Sequence, residues 1–337
     1  MTRDETEQHD GGRRFITPPA LHRSDGAMRR VGFELEFSGL DLDTASGVLR
    51  QVLGGNLERS TAARHRVDVP GSGTFEIEID WHFLQRMARE QAAATDGAAD
   101  WIDPLSRAAT LLVPIEVVCP PLPIDRLGQL HALADALREA GAVGTEESLI
   151  AAYGVHINPE LPSLDAPTLH GYLRAFALLQ WWLFDANPVD TARRVSPYID
   201  PWPEAYLRTL LESRQPELER ICDDYLEHNA SRNRALDLLP LLAQLDRERV
   251  ARAVDDPRIK ARPTLHYRLP DCHIEREDWS LAQPWNTWVL VERLAADNAA
   301  QESLAAEFLA AGRPLLGVGR SAWTGRMEQW LRGRGWV

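Results

Sequence analysis

Residues 31–37 read VGFELEF, and the alternation of apolar and acidic side chains along them is the pattern of a half-buried β-strand. Successive side chains of an extended chain point to opposite faces, so Phe33, Leu35 and Phe37 share one face and Glu34 and Glu36 the other. The apolar face has an obvious use as core. The acidic face sets two like charges about 6.5–7 Å apart along one strand, an arrangement that water or a cation must screen. A solvated outer face and a cation site are both open at this point. The pattern returns in HRVDVPGSGTFEIEID at 65–80, a hairpin turned by Gly71-Ser72-Gly73, with Asp68, Glu76, Glu78 and Asp80 on its polar faces. Those acids suit a solvated hairpin face, extra ligands or contacts to an amine.

Further strand segments are short and far apart: LLVPIEVVCPPL at 111–122, AAYGVHINPEL at 151–161 and PTLHYRLP at 263–270. Between them a short helix is predicted up to Gly54-Gly55, capped by Asp43 or Thr44. A second is predicted over 124–140, with Leu127, Leu130, Leu133, Ala134 and Leu137 on one stripe and Gly141 at its end. Residues 82–112 read as helix, loop and helical turn, and 165–255 as helical throughout. Trp181-Trp182 is placed in the core, and closing helices carry Trp285, Trp288, Val291 and Leu294 on one face. Such unlike connections do not give the regular alternation of a doubly wound sheet. They predict an α+β fold, a mostly antiparallel sheet with helices packed on one side. Residues 31–337 would form one domain with a helical insertion at about 165–255, after a loose leader over 1–30.

Composition narrows the function. Thirty-seven Lys plus Arg against fifty Asp plus Glu give a net charge of −13, which argues against a nucleic-acid partner. Lys260 is the only lysine and has no Gly-rich Walker sequence around it, so phosphate would have to be held by arginine, backbone N–H groups or metal. Cys119, Cys222 and Cys272 are widely spaced and form neither a disulfide framework nor a zinc motif, and the N-terminus lacks the apolar run of a signal peptide. A cytoplasmic protein with no membrane span is expected. Cys119 before Pro120-Pro121 is conceivable as a nucleophile, but a buried structural thiol is the simpler reading.

Four strand segments carry side chains suited to metal and phosphate: Glu34 with Glu36, Glu116, His156 with Asn158, and His266 with Arg268. On one concave sheet face these carboxylates and imidazoles would converge where hard divalent cations offset their repulsion. Taken alone, the histidine of GVHIN equally suits a hydrogen-bonded core position. The order GFELEF, PIEVVCPPL, YGVHIN, RNRALD, TLHYRLP resembles the amidoligase family of carboxylate–amine ligases over about 31–270. That family's fold is shared with glutamine synthetase and glutamate–cysteine ligase. Its motifs run G-x-E-x-E, E-x-x-S/T-P, G-x-H-x-H, R-Y-x-x-x-N and E-F-R along the chain.

The resemblance implies that Glu34, Glu36 and Glu116 hold Mg²⁺ or Mn²⁺, that His156 binds metal or phosphate, and that Arg268 contacts the ATP phosphates, with Arg232, Asn158 and His266 alongside. It implies an ATP-dependent reaction in which a substrate carboxylate becomes an acyl phosphate captured by an amine or by ammonia, with a glutaminase as a conceivable partner. The chain departs from the pattern at Asn158, Asn233, Asp237 and His266, where the family has histidine, tyrosine, asparagine and glutamate. Neutral nitrogen at 266 suits Mg²⁺ poorly, while Asp237 restores a negative charge. A metal-dependent hydrolase without nucleotide and a non-catalytic binding protein on the same scaffold are the competing readings. Arg193-Arg194 near Tyr198 suits either a substrate carboxylate or a surface ion pair.

Overall fold

The alternation in VGFELEF is realised in strand β1 (Arg30–Phe37), where Val31, Phe33, Leu35 and Phe37 are fully buried and Glu34 and Glu36 line the other face. The computed structural model describes residues 12–79, 114–146, 153–187, 199–312 and 317–337. Around β1 the sheet runs β2 (Asn56–Thr61), β3 (Arg64–Val69), β4 (Gly73–Ile79), β5 (Ile115–Val118), β1, β7 (Val155–Pro159), β9 (His266–Tyr267) and β8 (Leu236–Asp237). Strand β6 (Leu122–Pro123) pairs with the start of β1, and all these ladders are antiparallel.

Register decides which polar groups become neighbours. One row across the sheet runs Arg64, Glu78, Glu116, Glu36; the next runs Arg66, Glu76, Val118, Glu34, His156. On the far side Ile157 faces Tyr267, and His266 faces Asp237. A one-residue slip in any ladder would turn these side chains into the core, so burial of the opposite face holds the polar rows in place.

Helix α1 (Leu42–Leu53) lies against β3 and β4. Its cap is Asp41, not the expected Asp43 or Thr44: the Asp41 carboxylate accepts from the Thr44 N–H at 2.7 Å. Gly55 follows at φ +96°, where a Cβ would come within 2.3 Å of the Asp68 carbonyl, so the turn into β2 requires glycine. The helix expected over 124–140 begins as a 3₁₀ turn (Ile124–Arg126), and α2 proper is Gln129–Glu139.

The segment expected to be helical throughout 165–255 is not. Helices α3 (Ala166–Ala186), α4 (Glu204–Glu212) and α5 (Leu218–Asn229) give way to β8 before α6 (Leu239–Leu245) and α7 (Arg247–Ala253). Two residues of strand leave no period in a sequence, yet Leu236 and Asp237 are fully buried at the sheet edge. The strand expected over 263–270 likewise contracts to two residues, flanked by isolated bridges at Thr264 and Asp271. Helices α8 (Ala282–Ala295), α9 (Asn298–Ala311) and α10 (Arg320–Gly333) complete ten among the described residues. Phe176 of α3 meets Tyr267 of β9 edge-on, and Tyr267 stacks against Trp288 of α8, so these helices cover the face opposite the glutamates. Trp181 packs on Phe308, and the Trp182 indole donates to Glu328.

From residue 12 the segment expected to be loose makes specific contacts. The Ile16 N–H donates to Asn286 Oδ1 at 2.8 Å, and its carbonyl accepts from Trp285 Nε1 at 2.8 Å. All three cysteines are buried and free; burial and the nearby Glu34 push the Cys119 thiol upward, which removes it as a nucleophile. The readings at 82–112, Asp80, Arg193-Arg194 and Tyr198 lie outside the described residues.

Candidate active site

The glutamates of β1 do not face bulk water. Glu34 Oε2 lies 2.9 Å from His156 Nδ1, and Oε1 accepts from Asn158 Nδ2 at 2.9 Å. Glu36 Oε2 accepts from the Gly154 N–H at 2.7 Å, while Oε1 sits 3.5 Å from His156 Nε2. His156 thus bridges the two carboxylates from the neighbouring strand. Ligand atoms of Glu36, Glu116 and His156 all lie within 4.8 Å of one another, and so do those of Glu34, His156 and His266. The structure therefore gathers six of the residues named from sequence: Glu34, Glu36, Glu116, His156, Asn158 and His266. Arg268 and Arg232 stand beside them, joined by a 2.5 Å hydrogen bond from Arg268 Nη1 to the Arg232 carbonyl. The described hairpin acids Asp68, Glu76 and Glu78 are not among these ligand sets. Glu76 receives two bonds from Arg66 and Glu78 one from Arg64, and Asp68 accepts from Thr74, as a solvated hairpin face would have it.

Arg262 was not singled out by sequence reasoning, and it is central. Its Nη2 reaches Asn158 Oδ1 at 2.7 Å, His266 Nδ1 at 2.9 Å and Glu34 Oε1 at 3.6 Å. His266 Nδ1 also meets Asn158 Oδ1 at 2.6 Å. The available signal was parity: in an extended RPTLHYR, Arg262 falls on the same face as His266 and Arg268.

Burial opposes ionisation of Glu34, but His266, the hydrogen bond and charge of His156, and the Arg262 guanidinium outweigh it and hold its carboxyl well below the usual range. Burial in turn keeps the His266 imidazole well below its ordinary value against the pull of Glu34, with His156, Arg262 and Arg268 adding to the effect. Arg262 is a fixed cation beside Glu34, its Nη2 lying 3.6 Å from Glu34 Oε1.

Asp237, paired with His266 across β8 and β9, has one oxygen bonded to the Leu239 N–H at 2.9 Å and the other, Oδ2, buried with no hydrogen-bond partner among the described residues. Burial pushes its carboxyl up to about 6 although Arg268, the Leu239 N–H, Arg232 and Arg262 oppose the shift. Between the unfolded value near 4 and about 6 the folded chain keeps a proton that the unfolded chain has lost, so stability falls as pH rises through that window. Asp237→Asn retains the acceptor for Leu239 and removes the buried charge. The metal-free variant is expected to gain about 3 kcal/mol over the parent at pH 7.5 and almost nothing at pH 4, read as melting temperature against pH.

Two carboxylates facing each other from adjacent strands, with an imidazole alongside from the next strand, fit a hard divalent ion at Glu36, Glu116 and His156. The Glu34, His156, His266 set is richer in nitrogen and already engages a guanidinium, and fits Mg²⁺ poorly. A family model described as "Putative amidoligase enzyme" matches residues 27–290, most of the chain. The chain belongs to the amidoligase family. No curated protein and no solved structure matches it. The matched span of this amidoligase contains all nine strands among the described residues and every residue of the patch, so the family signal and the polar sheet face coincide. As a member the protein is an enzyme of the amide-forming ligase class. No helix among the described residues is long and apolar enough to cross a membrane.

Proposed function

We propose that this amidoligase joins a carboxylate to an amine with ATP and Mg²⁺ or Mn²⁺, through an acyl phosphate, on a sheet of the glutamine synthetase and glutamate–cysteine ligase type. The observation that carries the reading is the cross-strand pair Glu36 and Glu116 with His156 alongside, set on the same sheet face as His266, two residues before Arg268. In this reading Glu36, Glu116 and His156 hold the metal ion, which would supply charge neutralisation at the nucleotide phosphates. Arg268 and Arg232 bind phosphate oxygens through their planar guanidinium groups, and Asn158 and His266 position Glu34 and Arg262 by hydrogen bonds. The chain's work is then mainly placement and electrostatic stabilisation, as phosphoryl transfer demands. The Gly154 N–H fixes Glu36 in its rotamer, so the ligand is set before metal arrives.

With no P-loop, metal has to bridge protein and phosphates. A thermal-shift titration should therefore show stabilisation by ATP and Mg²⁺ together, about 2–4 kcal/mol at saturating ligand, and little by ATP alone. Equal protection by metal-free ATP would point to another kind of nucleotide site. Protection by metal with no added effect of nucleotide would favour a hydrolase.

A further inference from the structure

Three ligand-type atoms converge on one protein nitrogen. Arg262 Nη2 sits 2.7 Å from Asn158 Oδ1, 2.9 Å from His266 Nδ1 and 3.6 Å from Glu34 Oε1. Two of those residues, with His156, form a set whose ligand atoms could surround a metal ion. The arginine is anchored there by its backbone, whose N–H donates to the Pro240 carbonyl at 3.0 Å. Glu34 consequently has both oxygens engaged, one by His156 and the other by Asn158 and Arg262. Glu36, two residues along the same strand, is in contact with a peptide N–H and an imidazole, and Glu116 faces it across the ladder. Arg262 thus supplies a built-in cation to the Glu34 end of the acidic face.

We infer that the guanidinium of Arg262 takes the place of a second divalent cation, so that the site binds one metal ion, at Glu36, Glu116 and His156, instead of a pair. Paired catalytic metals sit about 3.5–4 Å apart and depend on anionic ligands to offset their mutual repulsion. At Glu34 the single negative charge is already matched by a unit positive charge within 4 Å, and the remaining donors, Asn158 and His266, carry none. A divalent ion entering at that end would meet the guanidinium at close range with, among the described residues of that ligand set, one carboxylate to hold it. The arginine also brings N–H donors toward the space next to the metal, where it can bind an anionic substrate group without exchanging with solvent. The position of the one ion rests on the ligase reading above; the role of Arg262 does not.

The test is Mn²⁺ stoichiometry by equilibrium dialysis at pH 7.5 on the parent, Arg262→Gln and Arg262→Lys, with melting temperatures to confirm that each is folded. One ion per chain is expected for the parent, two for Arg262→Gln, and one for Arg262→Lys, because lysine keeps the charge. Two ions in the parent, one in a folded Arg262→Gln, or two in both variants would overturn the inference, the last by showing that space and not charge excludes the ion. No ion in the parent but one in Arg262→Gln would support the role of Arg262 while refuting the metal site assigned to Glu36 and Glu116. No ion in either would refute both.

Discussion

Glu36→Gln is expected to lower ligase turnover by about 10²–10³-fold or more while leaving the fold intact. The Glu36 carboxylate does two things: Oε2 accepts the Gly154 N–H at 2.7 Å, and Oε1 points toward His156 and Glu116. The amide oxygen of glutamine can keep the first contact, so the β1–β7 junction has no new unsatisfied group. The second function is lost, because a neutral amide is a weak ligand for a hard cation. Removing one of two facing negative charges should if anything stabilise the metal-free chain, and its folding stability is expected within about 0.5 kcal/mol of the parent or above it. Glu34→Gln is a different case, since Glu34 is the counter-charge of Arg262 and an acceptor for Asn158. That variant should lose both activity and stability, and the contrast between the two separates a metal ligand from an ion-pair partner.

Arg29→Met is expected to cost about 3–5 kcal/mol of folding stability, a large part of what a domain has. Arg29 and Glu292 have no solvent exposure and form a two-pronged pair at 2.7 and 2.8 Å. Around it the remaining arginine donors reach the Ala20 and Glu160 carbonyls, and Glu292 also accepts from Tyr172 and Trp288. Every donor and acceptor in this group is matched, which is what makes a buried pair tolerable. Loss of the arginine leaves a buried carboxylate with no counter-charge, held only by the Tyr172 hydroxyl and the Trp288 indole N–H. Arg29→Met combined with Glu292→Leu should therefore regain most of the loss, whereas Arg29→Met alone should shift the urea midpoint sharply downward. The pair ties the start of β1 to α8 and α3, two of the helices that cover the core face of the sheet.

Much of the sheet was readable because period-two alternation survives wherever one face is buried. β1, β3 and β4 follow their apolar residues closely, and the glutamates fall on the opposite face as alternation requires. Legibility failed where the strand is too short to have a period. Leu236–Asp237 sits between helices in a leucine-rich stretch that reads as more helix, and only its pairing with His266–Tyr267 makes it strand. Asp41 was passed over as a cap because Asp43 and Thr44 lie nearer the first periodic residue; hydrogen-bond geometry settles the choice.

The site was legible as a set of residue types and not as a circuit. Five short motifs in order brought Glu34, Glu36, Glu116, His156, Asn158 and His266 to attention, and register placed them together. What no motif conveyed is that Arg262 comes to rest among Glu34, Asn158 and His266, since its segment is irregular and its contacts span more than a hundred residues. In the structure Asn158 Oδ1 and His266 Nδ1 both lie within hydrogen-bond distance of the Arg262 guanidinium.

The most direct measurement of carboxylate activation is hydroxamate formation in the presence of ATP, Mg²⁺ and hydroxylamine across a panel of amino acids and small carboxylic acids. An activated acyl group is captured by hydroxylamine whatever amine the enzyme normally uses, so the assay does not depend on knowing the second substrate. Hydroxamate and ADP are expected in equal amounts, only with both ATP and divalent metal, and neither is expected from Glu36→Gln. Hydroxamate formed without ATP, or metal-dependent cleavage of amides with no nucleotide consumed, would contradict a ligase at this site.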